Sequence, residues 1–495
     1  MEKSRRDFLK TTGVAAAGAG VLMSGVSGAA EASTGRLDMK VVNGTLFIPG
    51  VGLVKSGVGI QGGKVVMIAP DDRLPAAKET IDAKGLFVIP GICDMHWHLG
   101  IFAPYRKEME FETRWALTGG VTTIGSYMGE AKSYLNVMPG WIKDGNELAS
   151  TDFMLMASLF HKEHIDEIPA CYNQFRMTGF KFFMNDSGIP DKGFFHAVSD
   201  DVIRYGLRII SSLEGAIACG HCEDVEMVRR GRAEFAKKTN PTLQDWGISS
   251  PPGAEADASR RFVNMCRETG ARGKLVHTSS RESVEILTEM FKEGRDNIYV
   301  ETTPAYLGLN WNDEHPKGSR VLKMLPPIRG NDAQEALWKA VRNGVANVIG
   351  CDNVPNTLAD KGTDMKNSNP GFPVAATMLP VSITEGFYKR GVPWTTIVER
   401  MTKAPAEMFG IYPRKGTIAV GSDADLVIFD LNKEKVIDPT KSVSYSDYSL
   451  FDGRRVKGWA VQVIKGGQLV VDNDKVLSKP GNGKYITSDL WKKKG

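Results

Sequence analysis

The sequence predicts an α/β fold, a (β/α)8 TIM-like barrel with a small β-sandwich domain formed by its N- and C-terminal segments. Three observations predict it. The long middle alternates short apolar runs with amphipathic segments about eight times, as parallel strands joined by helices require. Both ends are instead rich in β-type runs broken by Gly and Asp turns. Finally, the side chains best suited to chemistry fall at or just beyond the ends of the middle runs, where barrels of this kind place their active sites.

The elements follow in order. From Met39 to Val88 the short runs Val41-Val42, Thr45 to Ile48, Val58-Gly59-Ile60 and Val65 to Ile68 read as strands. A matching β-rich stretch returns with Gly416 to Asp430, Ala460 to Ile464 and Gly467 to Val471. Residues 37–88 and 413–475 are therefore expected to form the sandwich, and residues 89–412 the barrel. In the middle, Val121 to Ile124 follows a helical stretch that closes at Gly119-Gly120, a good helix stop. Phe153 to Ala157, Gly179 to Met184, Ala216 to His221, Lys274 to His277, Ile298 to Glu301 and Asn347 to Asp352 read as further strands. Amphipathic segments such as Arg281 to Phe291 and Asp332 to Arg342 separate them. Residues 476–495 read as an irregular tail.

At 495 residues, with 42% apolar and 24% charged residues, the chain suits a soluble protein holding a barrel and a second module. A formal charge of +4 gives no electrostatic case for nucleic acid. No stretch is apolar enough for a membrane span in the mature chain. The N-terminus stands apart: Ser4-Arg5-Arg6-Asp7-Phe8-Leu9-Lys10 precedes a Gly/Ala-rich apolar run from Val14 to Val26, and Ala30-Glu31-Ala32 offers a cleavage site. Residues 1–32 thus resemble a twin-arginine signal peptide, implying the twin-arginine translocation machinery as a partner and a periplasmic or exported location. Six cysteines are too few for a disulfide scaffold. Cys219-Gly220-His221-Cys222 spells a redox motif, but His221 is better used elsewhere.

The chemistry begins at Pro90-Gly91-Ile92-Cys93-Asp94-Met95-His96-Trp97-His98. Residues two apart on a strand point the same way, so His96 and His98 can face one metal, while Trp97 points away. Asp94, two before His96, is expected on the same face as a carboxylate that orients an imidazole. Lys181, inside Gly179-Phe180-Lys181-Phe182-Phe183, would cost several kcal/mol if buried charged and unpaired. Burial lowers a lysine's pKa, and a neutral amine can add carbon dioxide to become an anionic carbamate ligand. His221, His277 and Asp352 each end an apolar run. Beside cations, Asp352 would stay ionised, able both to ligate and to relay a proton. His161 and His164 lack a third ligand nearby and read as structural.

Together these residues resemble the amidohydrolase superfamily, close to its hydantoinase and dihydropyrimidinase branch. Glu301-Thr302-Thr303-Pro304-Ala305-Tyr306-Leu307 is similar to that branch's ETCPQYL segment, and Lys323 to Gly330 through Ala336-Leu337-Trp338 resembles its KMSPPLR…ALW stretch. The resemblance implies two divalent cations, usually zinc. His96, His98 and Asp352 would hold one and His221 and His277 the other, with carbamylated Lys181 and a hydroxide between them. It also places Thr303 and Asn353 against a small cyclic amide substrate, with Asp352 as the catalytic proton carrier, and implies a homo-oligomer, a dimer or tetramer, in which the C-terminal tail often packs on a neighbour. Departures bear on the substrate. The family's oxyanion tyrosine is replaced by Asp186, and its PNGxPG loop appears as Asn369-Pro370-Gly371-Phe372-Pro373. Leu99 to Phe102 lacks the arginine or asparagine with which dihydroorotases and allantoinases grip an anionic substrate. The expected function is metal-dependent hydrolysis of cyclic amides, imides or ureides. The alternatives are an acyclic amide hydrolase of the N-acyl-amino-acid deacylase kind, and a non-catalytic relative that uses the fold for binding or assembly.

Overall fold

The computed structural model of the chain describes residues 36–186 and 196–493. The signal expected at residues 1–32 lies outside these. The N-terminal strands are β1 (Leu37–Val42), β2 (Thr45–Ile48), β3 (Gly52–Val54), β4 (Gly57–Gln61), β5 (Lys64–Ala69), β6 (Ala77–Asp82) and β7 (Phe87–Pro90). The barrel strands follow as β8 (Ile92–Trp97), β9 (Val121–Met128), β10 (Asp152–Leu159), β11 (Gly179–Phe183), β12 (Ile217–His221), β13 (Gly273–Leu275), β14 (Ile298–Thr302) and β15 (Val348–Ile349). The chain closes with β16 (Leu426–Val436), β17 (Arg455–Lys465), β18 (Gln468–Asp472) and β19 (Lys475–Val476).

The barrel is an all-parallel sheet in strict chain order from β8 to β15. It closes through a bridge between Trp97 and Asn353, supported by His98 N–H donating to the Asn353 carbonyl at 2.9 Å. Helices such as Arg281–Met290 and Asn331–Asn343 cover the outside, so the strands are buried on both faces and read as nearly continuous apolar runs. Cys93, Met95, Tyr127, Met154, Met156 and Cys219 fill the interior. The predicted eighth strand is cut to Val348–Ile349, because the Cys351 N–H turns to the Asp94 carboxylate and Asp352 adopts a φ of 55°.

The ends of the chain meet in two sheets, β5-β4-β1-β6 and β19-β18-β17-β16-β7-β2-β3. β1 shows why: Leu37, Met39 and Val41 are buried and alternate with partly exposed Asp38, Lys40 and Val42. Met39 and Val41 pack with Val58, Ile60, Leu426, Ile428 and Ile464 as a sandwich core. The barrel and the sandwich built from both chain ends are thus those the sequence predicts. Residues past β19 run along the barrel of their own chain: Tyr485 N–H donates to Asn146 Oδ1 at 2.8 Å and Trp491 Nε1 to the Tyr172 carbonyl at 2.8 Å. All six cysteines are free and buried, so Cys219 and Cys222 form no redox pair. Among the described residues no helix is long and apolar enough to cross a membrane.

Candidate metal centre and active site

His96, His98, Lys181, His221, His277 and Asp352 converge at the C-terminal mouth of the barrel. All but His96, which is buried just beneath, line one pocket with Ile101, Phe183, Leu325, Val354 and the Pro370–Phe372 loop. Strand alternation delivers Lys181: Phe180 and Phe182 join the outer core, and Lys181 points inward with 1% exposure. His277 and Asp352 have φ of 40° and 55°, a left-handed conformation that non-glycine residues seldom adopt and that clusters at functional sites.

The first imidazole is fixed by a carboxylate. His96 Nδ1 lies 2.5 Å from Glu301 Oε1, and Glu301 Oε2 lies 2.6 Å from the ammonium of fully buried Lys274. With its Nδ1 proton given to Glu301, His96 presents a lone pair at Nε2. That lone pair lies 3.1 Å from Asp352 Oδ1 and 3.0 Å from Lys181 Nζ, and His98 Nε2 lies 3.4 Å and 3.2 Å from the same two atoms. Two imidazole lone pairs and a carboxylate oxygen thus face one another, an arrangement that asks for positive charge between them. On the other side, His221 Nε2 is bonded to Glu223 Oε2 at 2.8 Å, which leaves its Nδ1 free to face inward. His277 Nδ1 is buried without a hydrogen-bond partner. Ligand atoms of His96, His277 and Asp352 all lie within 4.8 Å of one another. Neutral nitrogens, a carboxylate and an orphaned buried donor atom fit divalent cations such as zinc.

Electrostatics supports the same reading. Burial and the nearby Lys181 charge hold His96 well below, and His98 below, the usual imidazole range, so both stay neutral. Burial brings the Lys181 amine down to about 8, with Lys274 adding to the effect. Burial opposes ionisation of Asp352, but His96, His98 and Lys181 overcome it and hold the carboxylate ionised.

The structure corrects one expectation. Asp94 does not orient an imidazole. An irregularity in the β8–β9 register between Asp94 and Trp97 takes it out of phase with His96, and its oxygens accept instead from Trp97 Nε1 at 2.6 Å and Cys351 N–H at 3.0 Å. Glu301 does that work, and Glu223 does it for His221. A charged residue inside each of two neighbouring runs, Lys274 and Glu301, was the available signal; for Glu223 it was the period-two spacing from His221. Asn353 is fully buried, with Oδ1 accepting from Val374 N–H at 2.9 Å and Ala375 N–H at 3.3 Å, so its side chain shapes the loop that carries Phe372. Thr303 is also fully buried, with an unpartnered hydroxyl, and is not among the pocket's lining residues. Asp186 turns away to Arg229, with contacts of 2.9 and 2.8 Å. His161 and His164 bind carbonyls of the Ala131-Lys132 turn, a structural role.

Glu223 yields a direct test of this outer layer. Burial would raise its carboxyl, but the hydrogen bond from His221 and the charge of Arg329 bring it down to about 2. Its Oε2 also accepts from Asn185 Nδ2 at 2.8 Å. Glu223→Gln keeps the shape and removes the charge. Metal affinity, read by chelator competition, and kcat/KM are expected to fall by roughly 10–100-fold. Unchanged values would mean that His221 needs no such orientation.

Known proteins resemble the chain along most of its length. The amidohydrolase family profile matches residues 254–470, and the profile of the twin-arginine translocation signal matches residues 4–21, so the chain carries an export signal for that pathway. A D-hydantoinase of Geobacillus stearothermophilus is 30% identical over 464 residues, covering 90% of this chain and 95% of that protein. An allantoinase of Deinococcus radiodurans is 30% identical over 412 residues, covering 80% and 88%. Among solved structures, an L-hydantoinase (dihydropyrimidinase) from Arthrobacter aurescens superposes with a TM-score of 0.85 at 29% identity, covering 91% of this chain and all of its own.

Proposed function

The chain belongs to the amidohydrolase family, and from that premise we propose that it is an exported, periplasmic hydrolase that opens the ring of a cyclic amide, imide or ureide. The observation that carries this reading is the meeting of six ligand-type side chains from five barrel strands at one pocket, His96 just beneath the other five. His96, His98 and Asp352 would hold one divalent cation and His221 and His277 a second, with Lys181 as a carbamate between them. Cations bound there would polarise the scissile carbonyl and lower the pKa of water.

The chain's own groups supply the rest. Glu301 and Glu223 lock the tautomers of His96 and His221, so the lone pairs face the reacting centre. Asp352, held ionised, takes the proton of the attacking water at a carboxylate oxygen and delivers it to the leaving ring nitrogen. Ile101, Phe183, Leu325, Val354 and Phe372 exclude water from the upper pocket and favour a ring with an apolar substituent over one with a carboxylate.

The test combines metal analysis of the mature protein with hydrolysis of dihydrouracil, hydantoin, substituted hydantoins, succinimide and N-acyl amino acids. About two divalent ions per chain with ring opening is the expected result. Cleavage of the acyclic amides alone would move the protein to the deacylase reading. Absence of both metal and turnover under metal-replete conditions would overturn the proposal in favour of a binding or assembly role.

A further inference from the structure

Two neighbouring loops wall the pocket above the Trp97–Asn353 bridge. Residues 99–103 carry Ile101, and residues 354–372 carry Val354 and Phe372. A third segment, between β16 and β17, reaches both. The Tyr445 hydroxyl lies 2.9 Å from Glu108 Oε1 and 2.7 Å from the Pro355 carbonyl. Glu108, on the helix Tyr105–Thr118, accepts in turn from Gly100 N–H at 2.5 Å and Ala103 N–H at 3.0 Å. A continuous set of hydrogen bonds therefore runs from the Ile101 loop through Glu108 and Tyr445 to the residue beside Val354.

Proton counting explains how all of these bonds coexist. A phenol has one proton and cannot donate to both Glu108 and Pro355. Glu108 is fully buried, and burial pushes its carboxyl up to about 8 against the opposing backbone bonds from Gly100 and Ala103. It therefore carries a proton at neutral pH, which it gives to the Tyr445 oxygen while Tyr445 donates to Pro355. Tyr445 is fixed from other sides as well. Glu112 Oε1 accepts from its N–H at 3.2 Å and from Ser444 Oγ at 2.6 Å, and Lys107 Nζ sits 4.6 Å from the ring centre.

We propose that Tyr445 and Glu108 are positioning residues that set substrate selectivity, by holding the Ile101 and Val354 walls of the pocket at a fixed separation. The proposal rests on the ring-opening reading for its substrate, and on the hydrogen bonds alone for its mechanics. Slack walls would discriminate less between large and small ring substituents.

The experiment uses the metal-loaded protein with Tyr445→Phe, Glu108→Gln and Glu108→Ala. Its readouts are kinetics on hydantoin and 5-benzylhydantoin, metal content, and amide hydrogen exchange over residues 99–103. Tyr445→Phe keeps the ring and removes the bridge. It is expected to raise KM for the benzyl substrate roughly three- to tenfold, with kcat and metal content little changed and exchange at Gly100 and Ala103 faster. Glu108→Gln can still donate to Tyr445 but turns its amide nitrogen on the Ala103 N–H, so it should fall between the parent and Glu108→Ala, which should behave like Tyr445→Phe. A uniform loss of kcat together with metal, or unchanged exchange and unchanged KM ratio in Tyr445→Phe, would overturn the proposal. If the parent opens neither ring, the functional reading fails separately. Exchange over residues 99–103 then still decides whether the bridge positions the loop.

Discussion

Lys181→Ala is expected to lower ring-opening turnover at least about 10³-fold, a barrier increase of about 4 kcal/mol, and to lower the metal retained. The reason is local. Lys181 Nζ lies within 3.2 Å of both His96 Nε2 and His98 Nε2, and those nitrogens lie 3.1 and 3.4 Å from Asp352 Oδ1. Alanine leaves mutually repelling lone pairs and a void in place of the bridging group. Lys181→Met separates charge from bulk, since it fills the same space and should be equally inactive. Short-chain carboxylates can enter the alanine void and supply two oxygens where a carbamate on Lys181 would stand, so they should restore part of the turnover in Lys181→Ala and none in Lys181→Met. Labelled bicarbonate should give a carbamate carbon signal in the parent that is lost in both variants. Full activity in Lys181→Ala would remove the lysine from the mechanism.

The parts of this site that the sequence disclosed are those governed by a single strand. His96 and His98 are legible because a period of two puts them on one face, and Lys181 because a charge among aromatics on a strand demands an explanation. The layer behind them depends on which strands become neighbours. Lys274 and Glu301 look like isolated charges until β13 and β14 pair and set them 2.6 Å apart beneath His96. Asp94 misled because a register irregularity breaks the period between it and the histidines. Tyr445 and Glu108 are 337 positions apart, and only the meeting of barrel and C-terminal segment joins them. Asn353 shows the limit of position-by-position inference, since its neighbour Asp352 faces the pocket while its own amide oxygen accepts from the Val374 and Ala375 backbone.

Lys415→Met is expected to destabilise the folded protein by about 3–5 kcal/mol while leaving the pocket's KM unchanged at temperatures where the variant is folded. Lys415 lies at the opposite end of the barrel from the active site, with only 2% of its side chain exposed. Its ammonium is 2.5 Å from Asp152 at the start of β10, and 2.7 and 2.9 Å from Asp425 and Asp423, just before β16. Asp152 also binds Lys465 of β17 at 2.7 Å and receives the Lys484 N–H of the tail at 3.0 Å. One cation thus joins barrel, sandwich and tail, and its loss strands buried carboxylates. Burial works against the charge on Lys415, but the three aspartates raise its pKa well above the ordinary value. Burial likewise opposes ionisation of Asp152 and Asp423, and Lys415, with Lys465 and Lys64 respectively, brings both below the usual value of 3.8. A raised lysine stabilises below its unfolded pKa, near 10.4, and loses that stabilisation only as pH climbs through the folded value. A depressed aspartate stabilises above its unfolded pKa, near 3.9, and loses that stabilisation as pH falls through the lower folded value. The gap between parent and variant in denaturant unfolding should therefore be flat through neutral pH and narrow below about pH 4. A gap that persists in acid would mean that the packed lysine stem, rather than its charge, holds the three segments together.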